Sequence, residues 1–253
     1  MHKFHRRWQH TTQGSIGYAW FEAMHTRLDL VVCSVEEHEA QKVFQLVYDR
    51  VRCIDQICNR FDSNSEVSKL NGKDANKEII LSNDLFNLLQ FAQTAFTNTA
   101  GQFDITIQTP APIPRGADKY MLNTEKQSVI VHEQGLQFDF GGLAKGYAVD
   151  IIREIFNEHG FENYLISFGN SSMAAKGNQP GKSGWHVSLQ HGTESFKLHN
   201  ECLSISGNDY HPHGHIIDPK SGEKRHANKS FAVKTGNAVE GEVLSTVGFM
   251  RNL

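Results

Sequence analysis

Hydrophobic and polar positions follow two different periods along this chain, and these periods predict its elements. Alternating apolar and polar residues, rich in β-branched and aromatic side chains, predict short strands. Apolar residues three and four positions apart predict helices, the longest of which carries the stripe from Val43 to Phe61. In chain order the predicted elements are strands at 15–22 and 27–33, helices at about 35–61 and 82–101, strands at 103–107 and 135–139, a helix ending near Gly160, strands at 163–168, 172–177, 185–190, 195–198, 201–206, 215–219 and 230–234, and a helix from about 238 onward.

This mixture of strands and helices predicts an α+β fold with mixed sheets and packed helices. The chain of 253 residues has no internal repeat and no low-complexity segment. We therefore expect a single domain over 1–253, with about 1–14 as a loose N-terminal arm.

Composition and charge exclude several function classes. An apolar content of 39%, with 21% charged residues, is typical of a globular protein in water. A formal charge of -3 gives no reason to expect nucleic acid or an acidic membrane as partner. No apolar run reaches the ~18 residues of a membrane span, and the basic N-terminus lacks the apolar core of a signal peptide. We expect a cytoplasmic protein, or a periplasmic one if a leader was removed.

The cysteines do not form a recognisable metal or redox motif. There are four of them, Cys33, Cys53, Cys58 and Cys202, and no pair has C-x-x-C spacing. Cys53 and Cys58 are five positions apart in a predicted helix and so do not share a face. We expect buried free thiols.

The stretch from Asp139 to Asp150 predicts a strand end, a glycine turn at Gly141-Gly142 and the start of a helix. A helix N-terminus presents unpaired N–H groups and attracts anions. Lys145 in the first turn adds a positive charge suited to phosphate. The pattern matches neither the P-loop nor G-x-G-x-x-G, so an ordinary turn with a surface lysine remains an alternative.

This stretch resembles the central motif of the FAD:protein FMN transferase family, the ApbE-like flavin transferases. Further segments resemble the family's other motifs, and they occur in the family's order. Each is weak alone, but together they are a strong signal. They are Met24-His25-Thr26, Ser63 to Asn71, Phe103 to Thr106, Ser204 to Tyr210, His215 to Gly222, and Glu242 to Thr246.

The resemblance implies an enzyme that uses Mg²⁺ to transfer FMN from FAD to a Thr or Ser hydroxyl of a partner protein, releasing AMP. By the same resemblance, Mg²⁺ would be bound by the Gly142 carbonyl, Glu242 and Thr246, and the last two project from one helix face. His215 and Glu242 would be catalytic. FAD would contact Met24, Thr106, Lys145, Ser206 and His215.

Some positions depart from the family pattern and indicate a divergent, shortened member. The family's metal-binding Asp is Glu242 here, its Gly-Gly-Asn is Gly169-Asn170-Ser171, and its Met-Gly-Thr contains His25. The region between Thr106 and Lys126 is short, and the family's closing strand does not follow the last helix before Leu253.

Three alternatives follow from these departures and from the histidines. The protein could bind FAD without catalysis, or hydrolyse FAD to FMN and AMP with water as the acceptor. A third possibility is a metal chaperone. His211, His213 and His215 occupy alternate positions, so in a strand they would share one face and could bind zinc or copper together. Pro212 and Gly214 favour a loop there instead.

Overall fold

The structure is a computed structural model that describes residues 4–12, 14–188, 195–207, 216–219, 221–225 and 229–252. It confirms the α+β fold class. The strands are β1 (His5–Thr11), β2 (Gly14–Ala23), β3 (Thr26–Cys33), β4 (Glu78–Ile80), β5 (Tyr120–Asn123), β6 (Ser128–Val131), β7 (Tyr164–Phe168), β8 (Ser172–Lys176), β9 (Trp185–Ser188), β10 (Ser195–Leu198), β11 (Glu201–Gly207) and β12 (Ser230–Thr235). The α-helices are α1 (Glu37–Cys58), α2 (Glu66–Asn71), α3 (Asn83–Asn98), α4 (Ala144–Glu158) and α5 (Ala238–Arg251).

The chain forms two compact units, each assembled from distant segments. The first comprises Met1–Cys53, Lys145–Ser206 and Ala232–Ser245, and the second comprises Ile54–Ala144, Gly207–Phe231 and Thr246–Leu253. A single domain over 1–253 stays a prediction. Within the described ranges, no helix is both long and apolar enough to cross a membrane.

A seven-stranded sheet, in the order β1-β2-β3-β7-β8-β11-β12, forms the centre of the first unit. Its register is fixed by alternation: Leu30 pairs with Ile166, which pairs with Ala174, and all three are fully buried. On the opposite face, the β9–β10 hairpin packs Trp185 and Leu198 into a cluster with the sheet. Both faces of the central strands are therefore covered.

Strand β1 lies within the segment that the sequence predicts to be a loose arm. Its residues are mostly polar and exposed, so they give little alternation to detect. It nevertheless pairs with β2 along its whole length, from His5 opposite Trp20 to Thr11 opposite Gly14. Trp8 anchors the pairing, because its ring covers Gly17 so closely that a Cβ there would lie 2.3 Å from it.

The second unit contains a three-stranded antiparallel sheet in the order β4-β6-β5, together with α2 and α3. Helix α3 begins after Ser82, as predicted, and the Ser82 hydroxyl accepts a hydrogen bond from the Leu85 amide at 3.3 Å. Tyr120 packs edge-on against Phe138 with ring centroids 5.1 Å apart.

Two strand predictions in this unit are wrong. Residues 103–107 form turns, because the Asp104 carboxylate accepts hydrogen bonds from both the amide and the hydroxyl of Thr106. The predicted strand at 135–139 belongs to no sheet: Gly135 lies in a turn, and 136–139 have no regular secondary structure. Their backbone groups instead bond to side chains such as Asn71, whose amide bonds both the N–H and the C=O of Phe138.

Candidate functional site

The central motif adopts the predicted turn and helix. Helix α4 begins at Ala144, so Lys145 lies in its first turn. In the turn before it, the Asp139 carboxylate accepts a hydrogen bond from Gly141 N at 2.8 Å and forms an ion pair with Arg60 at 3.1 Å. A Cβ on Gly142 would touch the Phe103 ring at 3.4 Å. Coordination of a metal by the Gly142 carbonyl stays a prediction.

Glu242 is a buried carboxylate beside Lys145. It lies in α5 and is 4% exposed, and its Oε2 is 3.5 Å from Lys145 Nζ. Burial raises the pKa of the Glu242 carboxyl, while the Lys145 ammonium and the Ser172 hydroxyl lower it in part. Its second oxygen, Oε1, has no hydrogen-bond partner among the described residues. An unpaired buried carboxylate oxygen is costly, so this position favours a ligand that supplies positive charge.

Ser172 is a buried polar residue beside Glu242 that no sequence motif identifies. It begins β8, is fully buried, and faces Glu242 closely enough to affect its pKa. Neither its Oγ nor Glu242 Oε1 completes a hydrogen bond of acceptable geometry with any described group. Its sequence signal is a serine just before the apolar run Met173–Ala175, and its proximity to Glu242 appears only in the fold.

A close contact between α4 and α5 brings Lys145 and Glu242 together. Gly146 provides it, because a Cβ at this position would lie 2.7 Å from both the Ala238 carbonyl oxygen and Glu242 Cγ. Any other residue would therefore push the two helices apart.

Ser206 lies next to the helix that carries Glu242. It is in β11, and its hydroxyl is 2.8 Å from the hydroxyl of Ser245, which in turn donates to the Glu242 carbonyl at 3.3 Å. The predicted contact of Ser206 with FAD stays a prediction. The predicted ligand Thr246 follows in α5, four residues after Glu242.

Met24 occupies the tight turn between β2 and β3. Met24 and His25 both have positive φ, 48° and 59°, and Ala23 pairs with Thr26 across the turn, as in a type I′ hairpin. Met24 is half-buried and His25 is exposed. Gly169 donates its N–H to the Arg27 carbonyl at 2.8 Å, so the altered glycine segment lies beside this turn.

Thr106, the other predicted FAD contact, is fully buried in the second unit. Its hydroxyl donates to Asp104 at 2.6 Å and accepts from the Gly116 amide at 2.8 Å. These two bonds connect Asp104 to the Gly116 backbone through Thr106, so the side chain stabilises the loop between them. Its contact with FAD stays a prediction.

His215 lies outside the described residues, as do His211 and His213 of the alternating histidine cluster. In the adjoining described segment, the Asp218 carboxylate forms an ion pair with Arg225, and the Asp218 backbone carbonyl accepts a hydrogen bond from the Gly222 amide at 2.8 Å. Both contacts hold the turn that follows Asp218. In the described part of the chain, no three His, Cys, Asp or Glu side chains cluster as a metal site would require.

The sequence model of the ApbE family matches residues 24–253, nearly the whole chain. The chain belongs to the ApbE family. The match includes every segment that carries the resemblance, from the Met24 turn to α5.

Curated relatives of this ApbE-family chain are named FAD:protein FMN transferase. The one from Chlamydia muridarum is 26% identical in an alignment of 215 residues that covers 74% of this chain, and the one from Chlamydia trachomatis is 26% identical in an alignment of 220 residues that covers 73% of it. The chain spans 66% of the length of each of these two relatives.

Solved ApbE structures share the fold. An ApbE protein from Thermotoga maritima aligns with a TM-score of 0.79 at 21% identity, covering 98% of this chain and 86% of that one. The flavin transferase ApbE from Vibrio cholerae aligns with a TM-score of 0.78 at 16% identity, with the same coverage. At these identities the likeness establishes the fold.

Proposed function

We propose that this protein transfers FMN from FAD to a Thr or Ser hydroxyl of a partner protein, releases AMP, and requires Mg²⁺. The observation that carries the proposal is the buried Glu242 carboxylate, which has one unpaired oxygen and lies 3.5 Å from Lys145 in a chain of the ApbE family. The names of the curated relatives support the same reaction.

The residues around Glu242 fit a hard divalent cation. Mg²⁺ prefers oxygen ligands and typically binds through one or two carboxylates plus substrate phosphates. The unpaired Glu242 Oε1 offers such a ligand, and the buried Ser172 hydroxyl, close enough to lower the pKa of Glu242, adds a second oxygen. The resemblance adds the Gly142 carbonyl and Thr246. When bound, Mg²⁺ would neutralise phosphate charge and orient the diphosphate.

Lys145 would contribute directly to binding the diphosphate. Its ammonium is a point charge suited to phosphate, and it extends from the first turn of α4, where backbone N–H groups add partial positive charge. Beside a buried carboxylate this cation stays in place without FAD, so the site needs little rearrangement on binding.

The reaction is a phosphoryl-type transfer. The acceptor oxygen forms a bond to the FMN phosphorus, the bond from that phosphorus to the bridging oxygen breaks, and AMP leaves with that oxygen. The acceptor's proton is lost to a base or to solvent, and His215 is the predicted residue for this proton or for diphosphate contact. If water replaces the hydroxyl, the products are FMN and AMP.

The test combines the protein with FAD, Mg²⁺ and a purified flavin-acceptor domain that has a Thr or Ser at its acceptor position. The acceptor's mass and the released AMP are both measured. We expect a flavinylated acceptor and an equal amount of AMP. AMP without flavinylation would instead identify a hydrolase, and FAD that stays intact would identify a non-catalytic flavin protein.

A matched pair of variants ties the activity to the site. Glu242→Gln removes the buried charge, whereas Glu240→Gln makes the same change two residues earlier on an exposed side chain of the same helix. We expect Glu242→Gln to abolish AMP release and Glu240→Gln to retain it. Equal loss, or equal retention, in both variants would contradict the assignment of Glu242.

A further inference from the structure

Asp150 binds the N-terminus of the neighbouring helix. It lies in α4, and its two carboxylate oxygens accept hydrogen bonds from the backbone amides of Ala238 and Val239, at 2.8 and 2.9 Å. These amides belong to the first turn of α5, where backbone N–H groups have no carbonyl acceptor within the helix. A carboxylate at this end also interacts favourably with the helix dipole.

The other amides of that first turn are satisfied locally. Asn237 accepts from the Glu240 amide through its side chain at 2.9 Å, and from the Gly241 amide through its backbone carbonyl at 3.4 Å. The cap of α5 is thus divided. Asn237 supports the helix from its own segment, and Asp150 supports it from another helix.

Asp150 is itself held in place by Arg153, one turn further along α4. Arg153 Nη1 donates to Asp150 Oδ1 at 2.9 Å and to the Gly236 carbonyl, just before α5, also at 2.9 Å. The two side chains are only 18% and 23% exposed, which limits competition from water. Asp150 and Arg153 together connect α4 to the start of α5.

We propose that Asp150 is a positioning residue for Glu242, an inference that rests on the proposed function. Helix α4 contacts α5 through Asp150, through Gly146 and through Lys145, which pairs with Glu242. The bonds from Asp150 to the Ala238 and Val239 amides fix how α5 is rotated about its axis and where it lies along α4, and so they fix the position of its next turn. Without it, Glu242 loses the restraint that directs its free oxygen toward the cation and diphosphate.

The decisive comparison is between Asp150→Asn and Asn237→Ala. Asp150→Asn keeps the side-chain shape but removes the charge and one acceptor oxygen, so it weakens the bond between the helices. Asn237→Ala weakens the same helix end but leaves α4 untouched. Urea unfolding measures the loss of stability in each variant. The loss of activity in each variant is then judged against its own loss of stability.

We expect Asp150→Asn to lower kcat and Mg²⁺ affinity about 10- to 100-fold, the range typical of residues that orient metal ligands, with a nearly unchanged KM for FAD. Asn237→Ala should retain a near wild-type kcat at a comparable loss of stability. If the two variants lose kcat and Mg²⁺ affinity in step with stability alone, Asp150 is only a helix cap and the inference fails.

A second measurement needs no activity. Amide hydrogen exchange of the ligand-free protein should accelerate from Ala238 through Glu242 in Asp150→Asn, but only around Glu240 in Asn237→Ala, because that substitution removes the side-chain acceptor of the Glu240 amide and keeps the backbone carbonyl. Identical exchange in the two variants would overturn the positioning role. A wild-type protein that releases no AMP would refute the proposed function while leaving this exchange result interpretable.

Discussion

Gly146 and Glu242 lie in different helices, and a methyl group on Gly146 would come within 2.7 Å of Glu242 Cγ. The same methyl group would meet two backbone atoms, the Ala238 oxygen at 2.7 Å and Val239 Cα at 2.8 Å. Backbone cannot move aside as a flexible side chain can. The glycine after Lys145 therefore has a steric purpose, since it permits the helix contact that brings the site's carboxylate to its lysine.

Gly146→Ala should force α5 away from α4 and displace Glu242. We expect a destabilisation of roughly 1–3 kcal/mol, as for overpacked cores, together with a large loss of FAD-dependent AMP release. Gly236→Ala is the matched control, because a Cβ there meets nothing within 4 Å. Urea unfolding and AMP assays on both variants check this, and a fully active Gly146→Ala would show that the contact can relax without cost.

Glu242→Gln should make the ligand-free protein no less stable than wild type. The substitution keeps the shape and loses the charge pair with Lys145, but it also removes the cost of burying a carboxylate whose Oε1 has no partner among the described residues. The Lys145 side chain is 21% exposed, so water can still solvate its ammonium, and we expect the two effects to offset each other. The rise in melting temperature that Mg²⁺ and FAD give to wild type should be largely absent. Thermal unfolding with and without these ligands tests both parts. A marked loss of stability without ligand would mean that the Lys145 pair stabilises the fold.

The periodicity of apolar residues and the turn residues predict an element correctly where interactions within its own segment determine its structure. The motif around Lys145 can be identified from the sequence because a glycine turn before an apolar stripe is a local signal. Strand β1 gives no such signal, because Arg6 and Arg7 break the alternation and its pairing depends on Trp8 covering a glycine on the next strand. At 103–107 the sequence alternates as a strand would, but the Asp104 carboxylate bonds Thr106 in its own segment and no ladder forms.

The same distinction holds for the site. Motifs identify Glu242 and Lys145, but they do not identify Ser172, which lies beside Glu242, or the role of Asp150, which caps the helix that carries Glu242. The Asp150 bonds join residues 88 and 89 positions apart, and no periodicity links such positions. Only the packing of α4 on α5 shows that the last residue of the central motif supports the helix that carries the carboxylate.

The cysteines should differ widely in reactivity. The prediction of buried thiols is wrong for Cys53, which is exposed, whereas burial raises the pKa of Cys33 to about 11 and that of Cys202 to about 12. At pH 8.5 iodoacetamide should label Cys53 first and leave Cys33 and Cys202 unlabelled, as peptide mass spectrometry would show. Rapid labelling of Cys33 in the folded protein would contradict its burial.

These raised thiol pKa values also predict alkaline sensitivity. Because the pKa of Cys33 is higher in the folded than in the unfolded chain, its contribution to stability is complete below the unfolded value of about 8.5 and is lost as the pH rises toward about 11. Urea unfolding should show stability falling over this range, and less steeply in Cys33→Ala than in the exposed control Cys53→Ala. Equal slopes in the two variants would refute the assignment to Cys33.

Asn71, at the end of the motif from Ser63, should be a major contributor to the second unit's stability. Its side-chain amide donates to the Phe138 carbonyl at 3.0 Å and accepts from the Phe138 amide at 2.8 Å, taking the place of a neighbouring strand. Asn71→Ala would leave both groups without that partner, beside a ring that is only 1% exposed. We expect a loss of about 2 to 4 kcal/mol, since each unsatisfied group costs about 1–3 kcal/mol. Asn64→Ala, on an exposed residue of the same motif, should stay within about 0.5 kcal/mol of wild type in urea unfolding. If Asn71→Ala were equally mild, water or a shifted backbone would have to satisfy Phe138, and the motif's asparagine would need another explanation.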